Sequence, residues 1–118
     1  MAFRFESLEI WKLAQEYADD LYEVTKKFPM EEKFALTDQL KRAGVSISNN
    51  IAEGSGSATN KNFCSFLDIS IKSTLETVNI IHFAVKRKYI TEKEGQEFYA
   101  KAESLIRKTR AFKNTLKP

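Results

Sequence analysis

Apolar side chains recur along the chain at alternating steps of three and four residues, the spacing that places them on one face of an α-helix. The first stripe stops at Pro29, whose missing N–H cannot continue a helix. The second begins at about Glu31 or Thr37 and ends at Gly54, a residue suited to a helix C-terminus. A fourth helix opens with the capping-box spacing TEKE, Thr91–Glu94. The predicted helices cover residues 7–28, 31–53, 60–88 and 92–116.

Four helices joined by short connections predict an all-α fold, an antiparallel up-down four-helix bundle. The chain has 118 residues, enough for one domain with its own core, so residues 1–118 are predicted to form a single domain. Hydrophobic residues make up 42% of the chain, and only two prolines and four glycines leave little room for the turns of a many-stranded sheet.

The third helix is apolar over more of its surface than a bundle of four helices requires. Beyond its inward stripe, its two flanks carry Phe66, Ile69, Ile80 and Ala84 on one side and Ile71, Leu75, His82 and Tyr89 on the other. A helix covered over about two thirds of its circumference needs more partners than three neighbours provide. We therefore expect a homo-oligomer that buries this helix, although a loop or tail over one flank is the alternative.

The second helix also carries a continuous polar stripe beside its apolar face. The stripe consists of Gln39, Arg42, Ser46, Asn49, Asn50 and Glu53. Small neighbours such as Gly44 and Ser48 let another helix approach, so we expect the stripe to be partly buried. We interpret it as a hydrogen-bonded network that sets helix register or subunit pairing, with Arg42 and Glu53 as its ion pair or as its two ends. A contact with a ligand or nucleic acid is the alternative.

Charge is distributed unevenly along a chain whose net charge is +3. Residues 1–40 contain five basic and nine acidic side chains, whereas residues 101–118 contain six basic and one acidic. We predict that the phosphate backbone of RNA or DNA is bound by Lys41, Arg42, Arg107, Arg110, Lys113 and Lys117. The last four fall within an arc of about 120° on the fourth helix, and a solvated basic face is the alternative. Aromatic residues are not interleaved on that arc, so base stacking is not expected.

Residue types at the spacing of an active site are not found in the sequence. His82 is the single histidine and Cys64 the single cysteine, which excludes an internal disulfide and a cysteine-based zinc cage within one chain. The run EGSGS lacks the lysine of a phosphate loop and follows a helix rather than a strand. We therefore predict no catalytic residue, no cofactor and no metal, and hence no enzyme. The chain has neither a bilayer-length apolar run nor a signal-like start, so we expect no membrane contact and a cytoplasmic location.

Motif residues along nearly the whole chain resemble one bacterial protein family. The matching positions are Phe5, Leu8, Trp11, Phe28, Pro29, Gln39, Leu40, Arg42, Ala43, Ser46, Ile47, Asn50, Ile51, Ala52, Glu53, Gly54, Gly56, Phe63, Phe66, Leu67, Ser73 and Glu76. The run SNNIAEGSG is the most specific, because it sets an order of polar and apolar residues across a helix end that bundle patterning does not require. These residues resemble the 23S rRNA intervening-sequence proteins, a family similar to the accessory protein of diversity-generating retroelements.

This resemblance implies an antiparallel bundle that assembles into a homopentameric ring, with no established catalytic residues. It also implies partners, because the accessory relatives bind nucleic acid and a reverse transcriptase. The family motif carries over at Arg42, Asn50 and Glu53. The chain departs from the family where Ser48 replaces a usual proline, Ser57 a frequent arginine and Val78 a common glutamate. The alternative function is a protein-interaction scaffold that does not contact nucleic acid.

Overall fold

The computed structural model describes residues 2–116, which contain α-helices and short 3₁₀ helices and no β-strand. The long helices are α1 (Glu9–Thr25), α2 (Leu36–Ser55), α3 (Asn60–Lys86) and α4 (Glu92–Asn114). Short 3₁₀ helices occupy Arg4–Ser7 and Met30–Glu32. The predicted all-α class is therefore confirmed. Among these helices, none combines the length and hydropathy of a membrane-spanning segment.

The start of α2 differs most from the predicted helix bounds. The helix begins at Leu36 and not at residue 31, close to the alternative start at Thr37. The backbone of Ala35 is not helical (φ −121°, ψ −103°), and the N–H of Leu36 donates to the side chain of Glu32 at 3.4 Å. The other ends differ by less: α1, α3 and α4 stop slightly before their predicted ends, and α2 continues to Ser55.

The four helices surround one shared hydrophobic core. The backbone of α1 lies beside α2 and α4, and that of α3 lies beside the same two helices. Within residues 2–116, α1 and α3 are diagonally opposite and meet through side chains, as in the hydrogen bond between Tyr17 and Thr77. The predicted inward stripes supply the most deeply buried side chains, among them Ala14, Leu21, Leu40, Ile47, Ile51, Phe63, Leu67 and Ala102. Each helix therefore buries one face against two neighbours and presents the other face to solvent.

Gly54 lies within α2 and is required by packing. A Cβ added at Gly54 would lie 2.6 Å from the Cβ of Phe66 and 2.8 Å from Cδ1 of Phe63, both on α3. No larger residue fits without moving one helix away from the other. The prediction that Gly54 ends the helix is therefore wrong, because α2 continues through it and the cap residue is Gly56.

A chain of buried hydroxyl groups lies on the inward face of α3. The hydroxyl of Ser70 donates to the carbonyl of Ile47 at 3.0 Å. Thr74 donates to the Ser70 carbonyl, and Thr77 donates to the Thr74 carbonyl at 2.6 Å. Because the Thr77 proton is used in that bond, Tyr17 is the donor in its 2.8 Å hydrogen bond to Thr77 Oγ1. These bonds satisfy polar groups that would otherwise destabilise the core.

The connection between α1 and α2 is tied to the connection between α3 and α4. The Tyr89 hydroxyl donates to Glu32 at 2.7 Å, and the rings of Phe28 and Tyr89 lie 5.6 Å apart. Lys27 forms an ion pair with Glu94, and this ammonium holds the pKa of the Glu94 carboxyl below its usual value. The connection is thereby held beside the end of α3 and the start of α4.

Candidate nucleic-acid interface

A groove of about 490 Å³ runs between α3 and α4 on the outside of the molecule. Its floor is apolar and is formed by Leu75, Val78, Tyr99 and Ile106. Its polar lining consists of Glu103, Arg107 and Arg110. A second hollow of about 480 Å³ shares Leu75 and Arg110 and continues toward Asp68 and Lys113. We call the two together the α3–α4 groove.

The helical repeat of α4 explains why these side chains share one groove. Its buried face contains Phe98, Ala102, Leu105 and Thr109. Residues one position later along the helix are rotated by about 100° from that face. Tyr99, Glu103, Ile106 and Arg110 follow each other at steps of three or four, so they lie along the edge of α4 that borders α3.

Three cations that line the groove, Arg107, Arg110 and Lys72, take part in no ion pair among the described residues. Arg107 and Arg110 are exposed, and among the ion pairs of the described residues neither guanidinium takes part. Lys113 differs, because its ammonium lies 2.7 Å from the carboxylate of Asp68. The predicted Lys117 lies outside the described residues. The unpaired positive charge of the groove therefore comes from the two arginines and Lys72.

The predicted residues Lys41 and Arg42 lie away from this groove. They belong to α2, whose backbone does not lie beside that of α4 within residues 2–116. The Lys41 ammonium lies 4.9 Å from the centroid of the Tyr22 ring, and Arg42 Nε lies 2.9 Å from Asp38. The predicted basic set therefore falls on two separate surfaces, which the structure does not bring together.

The polar stripe of α2 divides into an inner and an outer part. Ser46 and Asn50 are half-buried: Ser46 bonds to Ser73 of α3 at 2.9 Å, and Asn50 donates to the Ser46 carbonyl at 2.8 Å. The Gln39 amide, although exposed, donates to Glu76 of α3 at 3.4 Å. Ser46 and Gln39 therefore link α2 to α3, whereas Asn50 bonds within α2 and supports Ser46.

The outer part of the stripe is exposed to solvent in the single chain. It consists of Arg42, Asn49 and Glu53. The expected ion pair between Arg42 and Glu53 is wrong within one chain, because Arg42 pairs with Asp38 one turn before it. Residues four apart on a helix are neighbours, whereas 42 and 53 are separated by about three turns.

An aromatic side chain in the groove was not expected from the sequence. Tyr99 is 51% exposed and lines the same groove as Arg107 and Arg110. Its ring centroid lies 6.1 Å from that of His82 on α3, with 66° between the ring planes. The expectation that no aromatic residue accompanies the basic arc is therefore wrong for this groove. The sequence did contain an indication of this, because Tyr99 lies two steps of four before Arg107, which places it about two turns before the arc on nearly the same face.

Most of the broad apolar surface of α3 is covered by its own chain. Ile71, Ile80 and Ala84 are buried by the neighbouring helices. The apolar side chains of α3 that stay exposed are Ile69 at 45%, Leu75 at 51% and Phe83 at 47%. The single chain therefore needs fewer external partners than the sequence pattern indicated.

Residues 2–116 hold no group of three His, Cys, Asp or Glu side chains arranged to bind a metal ion. Cys64 is half-buried, and its sulfur lies 4.0 Å from the carbonyl of Lys113.

Comparisons with known proteins agree with this geometry at the level of family and fold. The model of the 23S rRNA-intervening sequence protein family matches residues 6–111. The chain is also similar to a crystal structure from Bacteroides thetaiotaomicron, that of a protein with unknown function from the S23 ribosomal protein family. The TM-score is 0.80 at 22% sequence identity, and the match covers 87% of this chain and 96% of that chain. At this identity the likeness establishes the fold alone. Among curated proteins, none matches this chain.

Proposed function

Because this chain belongs to the 23S rRNA-intervening sequence protein family, we propose that it is a non-enzymatic protein that binds the phosphate backbone of RNA or DNA. The observation that carries the proposal is the pair of exposed guanidinium groups of Arg107 and Arg110, which have no carboxylate partner within residues 2–116. A phosphate can supply their missing counter-charge, and the binding releases cations from the nucleic acid. The reference to 23S rRNA in the family's name is consistent with an anionic partner.

We further propose a single domain in which neighbouring helices run antiparallel. Between α1 and α4, Lys101 pairs with Asp20 and Lys108 pairs with Glu9. The residue number therefore falls along one helix as it rises along the other, which supports the up-down direction. A cytoplasmic location belongs to the same proposal, because a ribosomal RNA partner would be met there.

We propose that protomers assemble into a ring, with five members as the family resemblance implies. The surface that suits this role is the face formed by α2 and α3. Its exposed apolar side chains on α3 are Ile69 and Phe83, at 45% and 47%. A ring would repeat the Arg107–Arg110 pair and raise the avidity for a long polyanion. Sedimentation as a single protomer at micromolar concentration would contradict the ring without affecting the proposed phosphate contact.

Two double variants of equal charge test the site of nucleic-acid binding. The first, Arg107→Gln with Arg110→Gln, removes the two unpaired guanidinium groups of the groove. The second, Lys41→Gln with Arg42→Gln, removes two cations on the other surface, both held by neighbours in their own chain. Binding of labelled RNA and DNA is measured over a range of salt concentrations.

We expect the groove variant to bind more weakly and to lower the salt slope by about 1.5, as loss of two phosphate contacts requires. The α2 variant should change the slope little. Equal losses of affinity in both variants would show that binding depends on net charge, and would contradict a site in the groove. Absence of binding by the wild-type protein at low salt would remove the function altogether.

A second candidate function is a protein-interaction scaffold, which the connection between α1 and α2 favours. Met30 and Phe34 in this connection are 80% and 88% exposed, beside the exposed acid Glu31. An exposed pair of large apolar side chains is typical of a protein contact. Capture of a purified partner, such as the reverse transcriptase that the resemblance implies, would favour the scaffold if it survives nuclease and is lost on Phe34→Ser.

A further inference from the structure

We propose that the α3–α4 groove holds an unpaired nucleobase stacked on Tyr99, so that the ligand is a single strand of nucleic acid rather than a duplex. This inference rests on the proposed nucleic-acid binding and adds the form of the ligand. It depends on three features that meet in one groove: an exposed aromatic ring, an apolar floor and unpaired cations.

The aromatic ring is available for stacking. Tyr99 is 51% exposed, and its nearest aromatic partner, His82, stands at 66° to it instead of lying parallel. The ring of Tyr99 is therefore not already stacked by this neighbour. Proteins that bind single strands combine such rings with a cationic groove, because every base has a π-face that can stack.

The apolar floor favours the transfer of a base from water into the groove, because apolar surface is then buried. Leu75 is 51% exposed, and Val78 and Ile106 line the same groove. A duplex keeps its bases stacked inside and presents phosphates, so it would leave this floor uncovered. An unpaired base can lie against the floor and bury it. The volume of about 490 Å³ falls within the range of about 300 to 1,000 Å³ that is usual for small-molecule sites.

The polar groups of the groove match the rest of a nucleotide. Arg107 and Arg110 line the groove with no acidic partner in the described residues, so phosphates on either side of the base would meet guanidinium groups. Glu103 lies among them, and its carboxylate can accept hydrogen bonds from a ligand. A carboxylate favours bases with an exocyclic amino group, such as cytosine. We therefore expect oligocytidine to bind more tightly than oligouridine.

The test compares a single-stranded oligocytidine RNA with a duplex RNA of equal length at one salt concentration. Tyr99→Leu keeps an apolar side chain but removes the stacking surface, whereas Tyr99→Phe keeps it. Tyr22→Leu is the matched control, because Tyr22 is also half-exposed at 41% but lies on α1. Circular dichroism and thermal melting establish that each variant is folded. Leu75→Gln on the facing helix is a second variant if Tyr99→Leu does not fold.

We expect Tyr99→Leu to weaken single-strand binding about tenfold or more, with Tyr99→Phe and Tyr22→Leu close to wild type. Duplex binding should be weaker in the wild type and insensitive to Tyr99. Equal binding of both forms, or no effect of Tyr99→Leu on either, would overturn this inference and leave the proposed backbone binding intact. No binding of either form would overturn both. If Tyr99→Leu instead abolishes self-association with RNA binding unchanged, the groove belongs to a second copy of the chain and the inference fails.

Discussion

Gly54 of α2 faces Phe66 of α3 at a distance that leaves no space for a methyl group, since a Cβ at position 54 would lie 2.6 Å from the Cβ of Phe66. The close packing of α2 against α3 therefore explains the first glycine of the run SNNIAEGSG, Gly54. The polar residues before it divide between bonds across the α2–α3 seam, as for Ser46, and exposure to solvent, as for Glu53.

Gly54→Ala should destabilise the protein, because the Cβ of Phe66 is fixed to its backbone and cannot rotate away. Overpacking costs about 1 to 3 kcal/mol, of which about 1 kcal/mol is recovered from the better helix propensity of alanine. The control is Gly56→Ala, where the nearest atom to an added Cβ is 3.5 Å away. Urea unfolding of both variants checks this, and equal midpoints would contradict the packing role.

Stability should fall in strong alkali because of Tyr17. Burial raises the pKa of Tyr17 from 10.0 to about 12. Between these values the unfolded chain releases the phenolic proton while the folded protein keeps it, so stability is full below the lower pKa and declines as the pH rises. The loss approaches about 3 kcal/mol near the upper pKa. The free energy of unfolding of wild type and of Tyr17→Phe is measured over this pH range. Titration of lysines changes it in both proteins, so only the additional decrease with pH in the wild type belongs to Tyr17. Parallel pH curves would refute it.

Lys88→Gly should stabilise the protein. Lys88 has φ 64° and follows α3, and the next N–H, of Tyr89, donates to the carbonyl of Ala84 at 2.9 Å. A left-handed backbone strains a residue with a Cβ, and its replacement by glycine relieves about 1 kcal/mol. Arg87→Gly is the control, because Arg87 has φ −77° and should lose stability on the same change. Thermal melting should move the two variants in opposite directions.

Substitution of Asn50 and of the adjacent Asn49 should have different effects on stability. Asn50→Ala removes the hydrogen bonds to Ser46 and is expected to lower the free energy of unfolding by about 1 kcal/mol. Asn49→Ala removes an exposed side chain and should change it by less than about 0.5 kcal/mol. If the outer stripe forms a subunit contact, Asn49→Ala will instead weaken self-association. Chemical denaturation and sedimentation of both variants separate these roles.

Periodicity predicted the four helices because each buries one face against a common core. The TEKE capping box was also predicted correctly: the Thr91 hydroxyl accepts from the N–H of Glu94, and the Glu94 carboxylate accepts from the N–H of Thr91. The start of α2 was harder to predict from the sequence, because residues 31–35 contain good helix formers. The non-helical backbone of Ala35 interrupts them. The segment also bonds to a distant residue, through Glu32 and Tyr89, and local propensity does not contain such a contact.

The candidate site was predictable only within single helices. The basic arc of α4 follows from its spacing, and Arg107 and Arg110 indeed share one groove. Separation of these arginines from Arg42 depends on which helices touch, and a repeat within one helix does not encode that arrangement. The role of Leu75 was hidden for the same reason, since the groove exists only where α3 meets α4.

The hydrogen bond from Ser70 to the main chain of Ile47 joins α2 and α3 inside the core, a short distance along the seam from Gly54. Fluctuations that admit water should therefore part α1 and α4 from this pair before the pair itself separates. Backbone amides in the middle of α2 and α3 should be the last in the molecule to exchange their protons for deuterium.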